Sequence, residues 1–243
     1  MTGVSRRGLL AGVAAAGLLA ACGGPDTQPL ALVYRGDGAT DPCSDAVASL
    51  LRTHSKGFRV EYCGPDQQIP LTTEALSGAT LYAQPGGGGL DDAWRVMRRH
   101  ADVIKGYVHD GGRYLGFCLG GYLAGATPGF ALLPGDTRQY VTSRGADVRS
   151  TRDTLVEVDW TGRRHAMYFQ DGPQFVLTGP AEVLARYTNG TIAAAVATYG
   201  RGRVAVTGPH PEAPESWYRD AKLTDPGNGR LDLGFAFVDR ALA

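Results

Sequence analysis

The alternation of short apolar runs with amphipathic segments in the first half of the chain constrains its fold more than any other feature. The apolar runs predict four strands, at 30–35, 58–62, 79–84 and 113–117. The intervening segments have helical spacing, at 44–54, in a short turn at 72–76, and most clearly at 91–108. Because strands and helices in this order indicate a parallel sheet covered on both faces, we predict an α/β fold.

The second half of the chain changes to a pattern of short strands. These strands are predicted at 155–160, 165–169, 175–177, 193–199 and 203–207. The last two form a hairpin around Gly200-Arg201-Gly202, and a closing helix is predicted at 233–242. Since no internal repeat is visible, we predict that 30–243 is one domain.

Cys118 follows the predicted strand 113–117, with Gly116 and Gly120 on either side. Glycines in these places permit the sharp strand-to-helix turn that presents a nucleophile in hydrolases. The Gly36 loop and the glycine run after Pro85 end two other predicted strands. Because ligands of such sheets bind at the carboxyl ends of the strands, we expect the three segments to meet at one site.

A cysteine nucleophile needs a base, since an ordinary thiol is mostly protonated at neutral pH. His210 could supply this base, and the carboxylate of Glu212 could orient the imidazole. An oxyanion formed on an attacked carbonyl needs backbone N–H donors, for which we predict Leu119 and either Gly87 or Gly88. Four further residues are predicted to line the pocket, with packing or turn roles as the alternative: Tyr34, Asp37, Tyr168 and Asp171.

Three motifs in this order resemble those of a known superfamily: the Pro-Gly-Gly loop, the Gly-x-Cys-x-Gly turn and the late His-Pro-Glu. From Leu30 to its C-terminus the chain resembles the class I glutamine amidotransferase-like superfamily. Within it, the closest group is the biotin-protein ligase N-terminal domain-like group, on the segments 114–122, 168–175 and 208–212. This resemblance implies a three-layer, flavodoxin-like, mostly parallel sheet with helices on both faces, and a Cys118–His210–Glu212 triad.

The sequence also departs from the superfamily's usual pattern. Glutaminases of the superfamily usually have glutamine four residues after the nucleophile, where this chain has Tyr122. We therefore do not expect glutamine amidotransfer. Biotin ligation is not expected either, because the basic Gly200–Arg203 segment continues directly into a strand and is better explained as a hairpin turn. No cofactor is predicted, and no metal site, since no pair of cysteines or histidines has ligand spacing.

The first 22 residues have the features of an export signal. Arg6 and Arg7 precede an apolar run from Gly8 to Ala21 that is short for a membrane span, which matches a twin-arginine signal. The run ends in a lipobox-like sequence at Cys22, so we expect this cysteine to be lipidated, with palmitate among its acyl chains. Residues 23–29 would be a flexible tether. A simple cleaved signal or an uncleaved anchor remains the alternative.

With Cys22 lipidated, three cysteines remain in an oxidising compartment. Cys43 begins the first predicted helix and Cys63 ends the second strand, so a disulfide between them is plausible and would leave Cys118 free. Such a bridge would stabilise the fold by roughly 3 kcal/mol. Three reduced cysteines are the alternative.

These features predict an extracytoplasmic lipoprotein, held to the bacterial cell membrane through Cys22, with a small-molecule or peptide-like substrate. The leading hypothesis is a thiol hydrolase of an amide or related acyl bond. The second is a binding protein that retains the pocket without turnover. Nucleic acid is not an expected partner, because 24 basic residues balance 24 acidic ones. The sequence leaves the oligomeric state open.

Overall fold

A computed structural model describes residues 28–227 and 229–243, and the side chains of 229 and 230 are outside this description. One mixed sheet of eleven strands forms its centre. The strands are β1 (Leu30–Tyr34), β2 (Arg59–Cys63), β3 (Leu81–Gln84), β4 (Arg113–Phe117), β5 (Gly135–Gln139), β6 (Thr154–Trp160), β7 (Arg163–Phe169), β8 (Pro173–Leu177), β9 (Ala181–Tyr187), β10 (Ile192–Tyr199) and β11 (Gly202–Thr207). The helices are α1 (Asp41–Thr53), α2 (Thr73–Ser77), α3 (Leu90–Met97), α4 (Ala101–His109), α5 (Leu119–Leu123), α6 (Glu215–Asp220) and α7 (Gly229–Leu242).

Five neighbouring strands of the sheet are parallel, in the order β2-β1-β3-β4-β11. Strand β4 lies between β3 and β11, and Phe117 at its end pairs with Thr207 at the end of β11. The carboxyl ends of β3, β4 and β11 therefore lie side by side, although β11 comes from the last quarter of the chain. This adjacency positions the candidate site.

The remaining strands pair antiparallel, in the order β11-β10-β9-β6-β7, with β8 joined to both β10 and β5. The predicted α/β, flavodoxin-like class is confirmed, but the sheet is more mixed than the predicted mostly parallel one. The difference arises because short turns such as the one at 161–162 connect successive strands here, and a parallel connection would need a crossover of a dozen or more residues.

Helices cover both faces of the parallel strands. One face packs on α1 and α7 through side chains such as Leu51 and Phe237. The other face packs on α2 to α5 through side chains such as Leu76, Met97 and Ile104. Along β1, Ala31 and Val33 face the first layer and Leu32 and Tyr34 the second, as the two-residue period of a strand requires. Both faces being buried explains why these strands read as continuous apolar runs.

The helix predicted at 91–108 is divided in two. Its parts are α3 and α4, separated by a 3₁₀ turn at Arg98–His100. The predicted apolar face continues across the break, since Met97, Ile104 and Val108 are all fully buried. The periodicity thus identified the buried face correctly and missed the local change in helical winding.

The predicted signal peptide (1–22), the lipidation site Cys22 and most of the predicted tether (23–29) lie outside the described residues. Within the described part of the chain, no helix combines the length and apolar character needed to cross a membrane.

Candidate functional site

Cys118 forms a strained turn between β4 and α5. Its backbone has φ 48° and ψ −103°, a positive-φ conformation that is uncommon for a residue other than glycine. Its N–H donates to the carbonyl of Thr207 at 2.9 Å, which ties the turn to the end of β11. The neighbouring Gly120 is required by close approach, because a Cβ there would lie 2.0 Å from the carbonyl oxygen of Gln84. The sequence motif therefore reflects a backbone packed tightly against β3.

His210 and Glu212 lie just beyond β11 and are held as a pair. The N–H of His210 donates to the carbonyl of Tyr168 at 2.9 Å, which fixes the backbone. Its Nδ1 lies 2.7 Å from Oε1 of Glu212, and the two residues are only 3% and 2% exposed. The second ring nitrogen is therefore the one available to a neighbouring group.

The electrostatics of His210 are dominated by its buried neighbours. Burial alone would lower its pKa, because it disfavours the charged imidazolium. The Glu212 carboxylate and the adjacent Cys118 outweigh burial and raise the pKa of His210 well above its ordinary value. The imidazolium form is thus favoured at neutral pH, beside a thiol whose residue is 8% exposed.

The loop after β3 closes over the same place. A Cβ added to Gly86 would lie 3.0 Å from Cε1 of His210, 3.3 Å from Cβ of Cys118 and 3.5 Å from Sγ of Cys43. The side chains of His210, Cys118 and Cys43 therefore meet around this one glycine. Gly87 and Gly88 follow with φ values of 94° and 85°, and both line the cavity beside Leu119.

The three residues predicted to supply oxyanion donors all line the cavity. Leu119 is the first residue of α5, so its N–H has no acceptor within the helix. A Cβ on Gly88 would meet no atom within 4 Å, which shows that this part of the loop borders open space. Leu119, Gly87 and Gly88 thus border the cavity into which Cys118 opens.

A cavity of about 1110 Å³ contains these groups, which is ample for a small molecule or part of a peptide. Its wall includes an aromatic cluster in which Tyr168 lies 5.2 Å from Trp217 and 5.9 Å from His210, measured between ring centroids. The cavity is also lined by Tyr122, Gln139 and Asp171. Within residues 28–227 and 229–243, no group of three or more histidine, cysteine or acidic side chains is arranged to hold a metal ion.

The structure separates the four predicted pocket residues into two pairs. Tyr168 and Asp171 line the cavity. The prediction was wrong for Tyr34 and Asp37, which are not part of its lining. The Tyr34 side chain is fully buried in the helix-covered core, and Asp37 is exposed on the loop between β1 and α1. Tyr34 alternates with Val33 along β1, so it points into the layer of helices instead of over the strand end.

The predicted Cys43–Cys63 disulfide is also wrong, since both residues have free thiols. Cys63 packs against the layer formed by α2 to α5, where burial raises its pKa to about 12. Cys43 lies at the start of α1, on the opposite side of the sheet, and lines the cavity. Strand-end proximity predicted the pair, but the Cys63 side chain lies in the core and the Cys43 side chain in the cavity.

Several residues that line the cavity were not predicted to do so, among them Cys43, Gln139 and Trp217. Gln139 lies in β5 and Trp217 in α6, elements that the sequence did not reveal. Strand β5 has the sequence Gly-Asp-Thr-Arg-Gln, with no apolar alternation, and α6 is a six-residue helix. For Cys43, the aspartate and proline just before it indicate the start of a helix, but they do not indicate which way its side chain points.

Comparisons with known proteins identify the fold. Residues 30–144 match the family model described as "Biotin-protein ligase, N terminal", a match that ends before His210 and Glu212. A search of curated proteins finds no match to this sequence.

Solved structures align over most of the chain. The crystal structure of a glutamine amidotransferase has a TM-score of 0.58 at 18% identity, covering 88% of this chain and 99% of that chain. A glutamine amidotransferase from Thermotoga maritima has a TM-score of 0.56 at 13% identity, and the match covers 88% of this chain and 92% of that chain. A cytoplasmic protein from Salmonella typhimurium LT2 has a TM-score of 0.53 at 13% identity, and the match covers 88% of this chain and 99% of that chain. The chain therefore has a glutamine amidotransferase-like fold.

Proposed function

We propose that this protein is a thiol-dependent hydrolase of an amide or related acyl bond, with Cys118, His210 and Glu212 as its catalytic residues. The observation that carries the proposal is the position of His210. One side of its ring is bonded to Glu212 at 2.7 Å, and the ring lies against Cys118, which occupies the strained turn. A buried carboxylate, an imidazole and a thiol in this order are the arrangement that nucleophilic catalysis needs.

The chemistry would proceed in two halves. The Cys118 thiolate attacks the carbonyl carbon, and the oxyanion is bound by the N–H groups of Leu119 and of Gly87 or Gly88. The His210 imidazolium then gives its proton to the leaving amine, the C–N bond breaks and a thioester remains. In the second half, neutral His210 takes a proton from water as the water attacks the thioester. The C–S bond breaks, which releases the acid and restores the ion pair.

The test of this proposal is the rate at which iodoacetamide alkylates Cys118 at pH 7, located by peptide mass mapping. We expect Cys118 to react at least about tenfold faster than a free model thiol, and the excess to disappear in His210→Ala. Cys43 is the internal control, because it lies in the same cavity and burial raises its pKa to about 11. A Cys118 rate no higher than that of the model thiol would refute the activated nucleophile.

A binding role without turnover is the second candidate. It is favoured by the low exposure of Cys118 and by the contact of its Sγ with the carbonyl of Gln170 at 3.5 Å, since both restrict the approach of a bulky substrate. Thermal-shift screening against cell-envelope metabolites, followed by assay of each hit for hydrolysis, separates the two. Stabilising ligands that are never hydrolysed favour the binder.

The export features of the sequence complete the proposal. Arg6, Arg7 and Cys22 support twin-arginine export and lipidation, which would place the site outside the cytoplasm and hold it to the membrane. Membrane fractionation of cells expressing the full chain, with Cys22→Ser as the matched variant, tests this. We expect the wild type in the membrane fraction, and recovery of both forms in the soluble fraction would contradict lipidation.

A further inference from the structure

Asp171 is fixed beside the candidate nucleophile by an unusual local backbone. It follows Gln170, whose carbonyl oxygen lies 3.5 Å from Sγ of Cys118. Its own φ is 52°, a left-handed value that costs a non-glycine residue of order 1 kcal/mol. The hydroxyl of Tyr122 donates to its carbonyl at 3.1 Å. The carboxylate thus belongs to the residue that directly follows Gln170, whose carbonyl contacts the Cys118 thiol.

The Asp171 carboxylate is only partly satisfied. Nε2 of Gln139 donates to both carboxylate oxygens, at 2.8 and 2.9 Å, and so occupies one edge of the group. A carboxylate can accept about four hydrogen bonds. In the described part of the chain, no lysine, arginine or histidine nitrogen lies within 4.0 Å of it. Its charge therefore has no cationic partner although the residue is half-buried.

The other charged side chains that line the cavity are also mostly negative. Five aspartates line it, against one arginine and the His210 imidazolium, so a cation is favoured over an anion inside it. Three of the other aspartates have partners: Asp92 pairs with Arg95, Asp220 with Arg219, and Asp153 bonds to Tyr168. Asp171 differs from these three in being held beside Cys118 by an amide alone.

We propose that Asp171 determines specificity, by binding an ammonium group of the substrate next to the bond that Cys118 attacks. The substrate class is then an ammonium-bearing amide, such as an amino-acid or peptide-like amide. Tyr122, which stands where glutaminases of the superfamily usually have glutamine, acts here as a positioning residue because it holds the Asp171 backbone. This inference rests on the proposed function, since it takes Cys118 as the nucleophile.

The test compares three methanethiosulfonate reagents that modify Cys118 with the same chemistry and differ in charge. The reagents carry 2-aminoethyl (cationic), methyl (neutral) and 2-sulfonatoethyl (anionic) groups. In each case the thiolate sulfur displaces methanesulfinate and forms a mixed disulfide. We expect the cationic reagent to react at least about tenfold faster than the anionic one in the wild type at low salt, and the ratio to fall as salt rises.

The decisive comparison is Asp171→Asn, which keeps the shape and an acceptor for Gln139 but removes the charge. We expect its cation-to-anion rate ratio to fall about fivefold or more, while Asp171→Glu keeps most of the preference. Asp220→Asn is the matched control, because Asp220 lies in the same cavity but pairs with Arg219. Equal ratios in the wild type and Asp171→Asn would overturn the inference.

The outcome also separates this inference from the proposed function. If Cys118 reacts rapidly with iodoacetamide but shows no charge preference that depends on Asp171, only the specificity role fails. If Cys118 reacts no faster than a model thiol with any reagent, the activated nucleophile itself fails. Should Asp171→Asn not fold, the salt dependence of the wild-type ratio and the Asp171→Glu variant decide, and a salt-independent ratio counts against the inference.

Discussion

At the scale of single residues, the candidate site depends on the charge of one buried carboxylate. Glu212 bonds to His210 through Oε1, while its Oε2 is buried and has no hydrogen-bond partner among the described residues. A buried and incompletely bonded carboxylate is unfavourable unless a positive charge lies beside it. The arrangement therefore favours a protonated His210.

Replacing Glu212 by glutamine tests this coupling. The substitution removes the negative charge that favours the imidazolium, while burial continues to oppose it, so the pKa of His210 should fall. Imidazole NMR titration measures the change, with the signal of the exposed His109 as the internal control. Because a neutral His210 stabilises a thiolate less well, alkylation of Cys118 at pH 7 should also slow. A His210 titration that is unaltered in Glu212→Gln would contradict the coupling.

Gly86 offers a steric test of the same site. An alanine there would place its methyl group 3.0 Å from His210 and 3.3 Å from Cys118, so the imidazole must shift by a few tenths of an ångström. We expect Gly86→Ala to fold and to slow alkylation of Cys118 by roughly tenfold, since small misplacements of reacting groups are costly.

Gly106→Ala is the control for the Gly86 substitution. A Cβ at Gly106 meets no atom within 4 Å, and in α4 the change should stabilise the protein by about 0.5–1 kcal/mol with no effect on alkylation. If both variants are alkylated at the wild-type rate, the close packing around Gly86 has no bearing on the thiol.

The limits of sequence reasoning are also visible in particular residues. The motifs around Cys118 and His210 identified two strand ends, and the parallel order of β4 and β11 brings those ends together. Side-chain direction could not be read in the same way. Tyr34 and Cys43 both lie near strand ends, yet one points into the core and the other into the cavity, because each direction depends on packing between distant elements.

At the scale of elements, strands with long apolar runs could be predicted from the sequence, and strands without a regular apolar pattern could not. Strands β1, β3 and β4 are buried on both faces, so their apolar runs identified them. Strand β9 has the sequence Ala-Glu-Val-Leu-Ala-Arg-Tyr, in which apolar and polar residues do not alternate regularly, and its pairing with β10 and β6 makes it a strand. Elements that tertiary pairing defines cannot be recovered from local sequence alone.

The two faces of the sheet lead to a prediction about reducing agents. Because Cys43 and Cys63 lie on opposite faces and are free, the free energy of unfolding in urea should be the same with and without dithiothreitol. A disulfide between them would make the protein less stable by roughly 3 kcal/mol when reduced. Alkylation of unfolded protein without reductant, followed by mass mapping, should find both thiols free. A loss of stability on reduction would contradict the separation of the two side chains.

At the scale of the whole molecule, one sheet combines two kinds of chain path. The parallel strands β1 to β4 are contributed in sequence, with helices between them, and this part matches the family model over 30–144. The antiparallel strands form a long excursion before β11 returns to pair with β4. The nucleophile and its proposed base are therefore neighbours in space that are separated by about ninety residues of chain.

That return of β11 makes Cys118 a reporter of the order in which the protein assembles. Closing so long a segment is entropically unfavourable, so pairing of β11 with β4 should be among the last events of folding. During refolding from urea, brief pulses of iodoacetamide should alkylate Cys118 at the rate of an ordinary thiol until the amides of β11 become protected from hydrogen exchange, and faster afterwards. Fast alkylation before that protection would show that reactivity arises without His210. The expected result, fast alkylation only after that protection, means that the thiol becomes reactive in a single late step, when β11 pairs with β4.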